Sequence, residues 1–513
     1  MEINAQTTLK NSFYNFIGYA WPIIFSIFIT PIVVFRLGTK DYGVFVFINT
    51  AISLMGLLDL GIGTSMMKHV AEYSAEKAEE KLKKLICSMN TILLFIGLAG
   101  FGGFITLIFV TKQILPEQVM TVYYASAFFV AGLVFFVSSI SSIFSIIPNA
   151  LQQYDISTKI GLVFLTFTNI GNLVIVLSGH GLLAILILQL LSGLVSLIVF
   201  SHYSQRLLPV AKLSYGWEST EIKKTYKFGL ATFVSGLAGS SLTYLDRLII
   251  PIFLGPTQLT YYSLPANVAM RIPGVANNLT GALFPATVSL EAIKDREKVK
   301  RLYMRSSRLI LVLSSAIAFS VIFLADKILL YWLSADFADQ STQVLIILAI
   351  TNLLLALSGL LTNFLLALGR FRFLSTMSLL MAGMNGLLLF ILMPRYGING
   401  AAWAYLLSIL PTVYMFYHTE KKFLLLTERR RYYASILLKL ISATGIFAAF
   451  CFFVARPLIE NLTTLIIGGP LSVVVYLLIY RYLGFFETED VTDLEIFSRR
   501  IIAKILPTKK TTT

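Results

Sequence analysis

The sequence predicts an all-α polytopic membrane protein of about fourteen transmembrane helices, and three observations predict it. First, 57% of its 513 residues are hydrophobic and only 13% are charged, against roughly 45–50% and about 25% in ordinary globular chains. Second, the apolar residues gather into runs of roughly 20, the length at which a helix crosses a hydrocarbon core about 30 Å thick. Third, the basic residues between those runs fall mostly in alternate loops, the asymmetry that sets membrane orientation.

Breaks that carry Lys or Arg, together with Gly and Pro punctuation, delimit the spans. The first covers 13–35 behind a tail with one lysine; it is too long and too interrupted by proline for a cleaved leader, so it reads as a retained span. Leu37-Gly38 separates it from the second, 42–67, and the stretch Glu80-Lys-Leu-Lys-Lys-Leu85 leads into the third, 85–110. Spans four to six occupy 119–147, 158–178 and 181–203, the last two joined by a tight turn at Ser178-Gly-His-Gly181. The seventh and eighth lie at 228–253 and 259–289. A second lysine-rich stretch, Glu297-Lys-Val-Lys-Arg-Leu302, introduces 304–325, followed by 341–368, 373–393 and 398–418. The last two spans are 432–454 and 462–483. The lysine-rich stretches themselves read as solvated or interfacial helices.

With the N-terminus inside, cytoplasmic segments together with the cytoplasmic ends of the spans hold 33 of the 41 Lys and Arg, and outside segments hold six: Arg36, Lys40, Lys112, Lys327, Arg395 and Arg456. Both termini are therefore expected in the cytoplasm. The net charge of +15 is mostly orientation, so no nucleic-acid partner is needed to explain it. Cys87 and Cys451 form no disulfide framework, and neither they nor the four histidines have metal-site spacing. No GxxxxGK[ST] loop or enzyme signature occurs, which argues against direct use of ATP and against an enzyme.

The chain repeats itself. Glu80–Leu85 returns as Glu297–Leu302 and Leu37-Gly38 as Leu254-Gly255, each at an offset of 217; Gly181 and Ser192 match Gly397 and Ser408 at 216. Six helices per repeat is an even number, so both halves enter the membrane in the same direction, related by an axis along its normal. Parallel repeats of this kind place a substrate site at their interface near the midplane. The chain divides accordingly into an N-lobe at 1–204, a cytoplasmic linker at 205–227, a C-lobe at 228–418, a second linker at 419–431, an accessory helix pair at 432–483 and a cytoplasmic tail at 484–513.

The string Arg36-Leu-Gly-Thr-Lys-Asp-Tyr-Gly-Val-Phe45, followed by Leu58-Asp-Leu-Gly61, resembles the first two spans of bacterial lipid-linked oligosaccharide flippases. These are the O-antigen and capsule polysaccharide exporters of the multidrug/oligosaccharidyl-lipid/polysaccharide exporter superfamily. Leu245-Asp-Arg247 leading to Phe253-Leu-Gly255, Ala282-Leu-Phe-Pro285 and Leu366-Ala-Leu-Gly-Arg370 look like the second-half counterparts. The resemblance implies a V-shaped bundle of two six-helix lobes around a cationic cavity. It further implies a polyprenyl-diphosphate-linked oligosaccharide as cargo, the bacterial inner membrane as location, and polysaccharide polymerase and chain-length proteins as partners. Helices 13 and 14 are expected to shape a groove for the lipid tail, as in the related lipid II flippase.

An ionisable group at a helix centre costs from about 2.5 kcal/mol upward and marks function. Four qualify: Asp59, Asp246, Arg247 and Arg271, none duplicated by the repeat. Arg271 is the leading substrate contact, because guanidinium grips phosphate oxygens bidentately without losing its proton; a structural ion pair is the competing reading. Arg247 is either a second contact or a side chain reaching for the interface. Asp246 and Asp59 are structural ion-pair members or sites for a coupling ion, H⁺ or Na⁺; no other cofactor is implied. Arg305 and Arg308, one turn apart, and Lys159 are either contacts that admit a diphosphate or ordinary orientation charges. Two other functions compete: a cation-coupled multidrug antiporter of the same superfamily, and a non-transporting scaffold of a polysaccharide assembly complex.

Overall fold

The computed structural model describes residues 5–59, 61–114, 121–274, 283, 287–291, 293, 295–424 and 429–485. Among them every regular element is helical and there is no strand. In chain order the helices are α1 (Ala5–Leu37), α2 (Thr39–Met55), α3 (Ile62–Ala75), α4 (Glu79–Ile114), α5 (Val122–Ala150), α6 (Tyr154–Leu177), α7 (Leu182–Leu207), α8 (Ser219–Leu254) and α9 (Pro256–Ala269). They continue as α10 (Arg296–Phe323), α11 (Ala325–Trp332), α12 (Ala335–Ala367), α13 (Phe371–Ser408), α14 (Pro411–His418), α15 (Arg429–Phe450), α16 (Arg456–Leu458) and α17 (Leu462–Tyr482). Most of the predicted 259–289 span beyond Gly274, and the tail from 486 onward, lie outside the described residues.

Ten helical stretches among the described residues are long and apolar enough to cross a membrane, with Trp21–Leu37 as a shorter apolar helix. One of the ten, Phe371–Phe423, is 53 residues long and contains two predicted spans. The backbone breaks at Gly397, with φ 58° and ψ −139°, a conformation open to glycine. Gly400 then comes so near Leu392 that a Cβ would lie 2.3 Å from its carbonyl oxygen. Phe35, Phe453 and Tyr482 are 84%, 75% and 91% exposed, as expected of side chains that meet lipid rather than water.

One expectation is corrected. The predicted span at 42–67 is two helices: α2 stops at Met55, a 3₁₀ turn covers Gly56–Asp59, and α3 starts at Ile62. Asp59 makes the break by accepting the Gly61 N–H on Oδ1 at 2.9 Å, an alternative to the helical bond, and Gly61 takes φ +78°. The lysine-rich stretches are helical and largely exposed, as expected, and run on without a break as the first turns of α4 and α10. Asp295 caps α10 by accepting the Lys298 N–H at 3.1 Å, and its ion pair with Lys298 at 2.9 Å helps hold its carboxyl below the usual carboxylate range.

The duplication is present in the backbone. The ends of α1 and α8 (Leu37, Leu254), the starts of α2 and α9 (Thr39, Pro256), the starts of α4 and α10 (Glu79, Arg296), the ends of α5 and α12 (Ala150, Ala367) and the starts of α6 and α13 (Tyr154, Phe371) all pair at 217 residues. Unusual dihedrals repeat as well: Gly38 and Gly255 have φ +84° and +89°, and Gln152 and Gly369 have +59° and +68°. Equivalent elements also touch reciprocally. A Cβ on Gly43 would lie 1.9 Å from the Pro256 carbonyl oxygen, and Thr260 Oγ1 donates to the Thr39 carbonyl at 2.6 Å. Gly43 and Thr260 are equivalent positions, as are Thr39 and Pro256, so this exchange is what a two-fold relation between α2 and α9 requires.

Packing groups the helices into two compact units, Met1–Leu264 with Ser375–Ser408, and Pro265–Leu374 with Ile409–Thr513. These units follow packing, whereas the lobes at 1–204 and 228–418 follow the repeat; α8 packs on α2 and α3 and so falls within the first unit. In that unit Ile62, Met66, Met89, Ile143 and Ile147 join α3, α4 and α5. In the second unit the accessory helices are built onto α10. Phe447, Cys451, Tyr476 and Tyr480 pack on Val312 and Ala316, the Tyr480 hydroxyl lies 2.9 Å from Ser315 Oγ, and Arg456 pairs with Asp326 at 2.5 Å.

Candidate functional site

The first unit holds a charged cluster within its spans. Asp246, midway along α8, is 3% exposed. Its Oδ1 accepts the backbone N–H of Arg247 at 2.8 Å, and its Oδ2 accepts the hydroxyl of Tyr262 from α9 in a short hydrogen bond. The partner that the sequence required for Asp246 is thus a phenol on the next helix, since helix neighbours point in different directions. The half-buried Arg247 acts electrostatically on Tyr42 of α2 and on Tyr405 of α13. Two charges and three phenols therefore converge from four helices.

Beside this cluster lies a residue that carries no charge to mark it in the sequence. Asn385 of α13 is fully buried, and neither its amide nitrogen nor its oxygen has a hydrogen-bond partner among the described residues. A Cβ on the adjacent Gly386 would stand 3.6 Å from Leu245, so α13 meets α8 at the level of Asp246. A buried amide left unpaired costs about 1–3 kcal/mol. The signal was available in the sequence as the single amide in the apolar run Met384-Asn385-Gly386.

The other predicted residues are spread out. Arg271 belongs to the second unit and is half-buried in a turn directly after α9, where Gly274 donates to its carbonyl at 3.2 Å. The helix ends between Pro265 and Pro273, the prolines that withdraw backbone donors. Its neighbour Ile272 is fully buried and clusters with Ala318, Ala349 and Leu353. Arg308 is ten residues from Ala318 along α10, roughly 15 Å at 1.5 Å per residue, so Arg271 and the Arg305–Arg308 pair occupy different levels. Arg305 and Arg308 are both half-buried, Lys159 on α6 is exposed, and Asp59 is engaged in its own turn.

Two buried carboxylates stand at the ends that carry the basic loops. Glu420, 2% exposed, accepts hydroxyls from Tyr303 at 3.0 Å and from Tyr433. Glu221 accepts the Tyr73 hydroxyl at 2.9 Å, and Lys224 Nζ donates to that same hydroxyl at 2.8 Å. Burial pushes the Tyr73 hydroxyl above the usual tyrosine range, and the bond to it raises Lys224. Both carboxylates fall in the stretches read from sequence as the cytoplasmic linkers 205–227 and 419–431, and both are helical here.

A duplicated helical scaffold with a carboxylate, a guanidinium and an amide inside its spans is that of a polytopic membrane protein, with the parallel-repeat build that many transporters share. Residues 33–342 match the family of polysaccharide biosynthesis proteins, and the chain belongs to that family. A Shigella flexneri protein described as a candidate O-antigen transporter is 21% identical over 406 residues, covering 78% of this chain and 95% of the relative. Among solved structures, the lipid II flippase MurJ in an inward closed conformation aligns with a TM-score of 0.71 at 13% identity, over 91% of this chain and 98% of that one. An inward-facing MATE multidrug transporter of the MOP superfamily aligns with a TM-score of 0.60 at 12% identity, over 79% and 98%. At these identities the structural likeness is one of fold.

Proposed function

We propose that this protein is a flippase that moves a polyprenyl-diphosphate-linked oligosaccharide from the cytoplasmic to the outer leaflet of the bacterial inner membrane by alternating access, for O-antigen, capsule or exopolysaccharide assembly. The observation that carries the reading is membership of the polysaccharide biosynthesis family over residues 33–342 on a chain with a transporter fold. Both termini lie in the cytoplasm, on the charge asymmetry. Arg271 and Arg247 are phosphate contacts, each within its own unit, and Arg305, Arg308 and Lys159 act on the headgroup at the cytoplasmic leaflet. Asp246 with Asn385 receives the coupling ion, H⁺ or Na⁺, and Asp59 serves the hinge between α2 and α3. A polymerase and chain-length proteins take the product onward.

The test is the orientation of lipid-linked sugar in spheroplasts or reconstituted vesicles, in a strain without another flippase. Loss of outward-facing sugar on Arg271→Ala, with intact protein levels and partial rescue by Arg271→Lys, is the expected result. Normal export by Arg271→Ala favours the scaffold reading, and unchanged export on deleting the gene ends the flippase reading. The fold shared with a MATE transporter supports the multidrug antiporter as a second reading. Drug accumulation that is indifferent to Asp59→Asn and Asp246→Asn counts against it.

A further inference from the structure

The second unit carries a basic cavity that none of these roles uses. The turn from α12 to α13 and the end of α14 enclose about 630 Å³, lined by Arg370, Arg372, Lys422 and His418 with Phe373 and Phe423, within the roughly 300–1,000 Å³ of ligand pockets. A smaller cavity of about 120 Å³ shares Arg370, Lys422 and Phe423 and adds Arg296, Lys300 and one acid, Glu291.

The cations are positioned rather than merely collected. Gly369 donates to the Leu366 carbonyl at 3.0 Å and Arg370 to the Leu365 carbonyl at 2.8 Å, closing α12 in a turn that fixes where Arg370 stands. The Arg370 guanidinium lies 4.7 Å from the Phe423 ring centroid. Phe423 in turn packs edge-on against Phe373 and His418, at 6.3 and 5.5 Å between centroids. The ring contact helps hold the guanidinium in place, and guanidinium N–H groups suit a bidentate acceptor. Phe371, Tyr414 and Tyr417 are exposed around it, as aromatics are where helices meet the headgroup layer.

Across the two cavities five cations, Arg296, Lys300, Arg370, Arg372 and Lys422, line the walls with the carboxylate of Glu291, and Lys300 also pairs with Glu297 at 2.7 Å, so the cations still outnumber the acids. That excess suits a ligand with two or more negative charges better than the single charge of a common glycerophospholipid. We infer that this cavity receives the diphosphate headgroup of a membrane-anchored lipid at the end of the helices that carries the basic loops, a docking site separate from the span arginines. The inference rests on the flippase reading for the identity of that lipid.

Purified full-length protein is titrated in detergent with a sugar-free polyprenyl diphosphate and, separately, with phosphatidylglycerol, with bound lipid counted by native mass spectrometry. The diphosphate lipid is expected to bind. The double change Arg370→Gln with Lys422→Gln is expected to weaken it by about tenfold or more, with Arg370→Lys intermediate. Lys327→Gln, far along the chain at the other end of the helices, is expected to leave it unchanged. Arg372→Gln alone gives a second reading should the double variant fail to fold. Equal binding by the cavity variants, or equal binding of phosphatidylglycerol, overturns the inference. Because no translocation is required, the cavity can fail this test while the flippase reading stands, and lipid can bind here in a protein that does not flip it.

Discussion

Asp246 and Asn385 are both buried polar residues within one unit, yet they differ in how they are satisfied, and the difference predicts opposite responses. Asp246 accepts from Tyr262 and from the backbone of Arg247, so Tyr262→Phe leaves a buried carboxylate short of a donor. It should destabilise the protein by about 1.5–3 kcal/mol, read as a lower thermal unfolding temperature in detergent. Asn385 has no partner among the described residues, so Asn385→Leu, which keeps the branching at Cγ and removes the polar atoms, should raise that temperature. If Asn385 is kept for ion coupling, the stabilised variant transports poorly. A variant both more stable and fully active would mean that the amide has no part in transport. Charge made Asp246 legible in the sequence, because a carboxylate in an apolar run is conspicuous. Tyr262 and Asn385 were not, since a phenol or amide inside a span draws notice only once burial and hydrogen bonding are known.

At the level of helices, hydropathy located the spans but could not find where hydrogen bonding interrupts one. The run through 42–67 is apolar throughout, and only the Asp59 side chain on the Gly61 N–H shows why α2 and α3 are separate. Glycines that end or cross helices do so for two distinguishable reasons. Gly38 has φ +84° with ψ 155° and nothing within 4 Å of a Cβ, so Gly38→Ala should cost backbone strain alone, roughly 1–3 kcal/mol. Gly43 sits within a helix, but a Cβ there would meet the Pro256 backbone at 1.9 Å. Gly43→Ala must push α2 from α9 and should cost about 3 kcal/mol or more. Unfolding temperatures of the two variants, side by side, check this ordering; an equally mild effect at Gly43 would mean that the α2–α9 crossing is loose.

For the whole chain, the decisive regularity is the 217-residue offset, which short strings such as Leu37-Gly38 disclosed and helix ends now extend to five pairs of boundaries. It was legible because the repeated residues are those that terminate helices, where glycine and lysine are chemically demanded. The packing units were not legible, because which helices associate depends on side-chain shape along whole faces. The offset also makes a topological prediction independent of any substrate. Lys81 and Lys298 are equivalent, exposed positions in the first turns of α4 and α10. In a parallel repeat they share one side of the membrane, and the charge asymmetry makes that side cytoplasmic. Lys81→Cys and Lys298→Cys, each in a background with Cys87 and Cys451 replaced by serine, should resist a membrane-impermeant maleimide in intact cells and label after permeabilisation. Arg395→Cys, beside the backbone break at Gly397, should label without it. Opposite labelling of Lys81→Cys and Lys298→Cys would make the repeat inverted, and would remove the axis along the membrane normal on which a substrate site between equivalent halves depends.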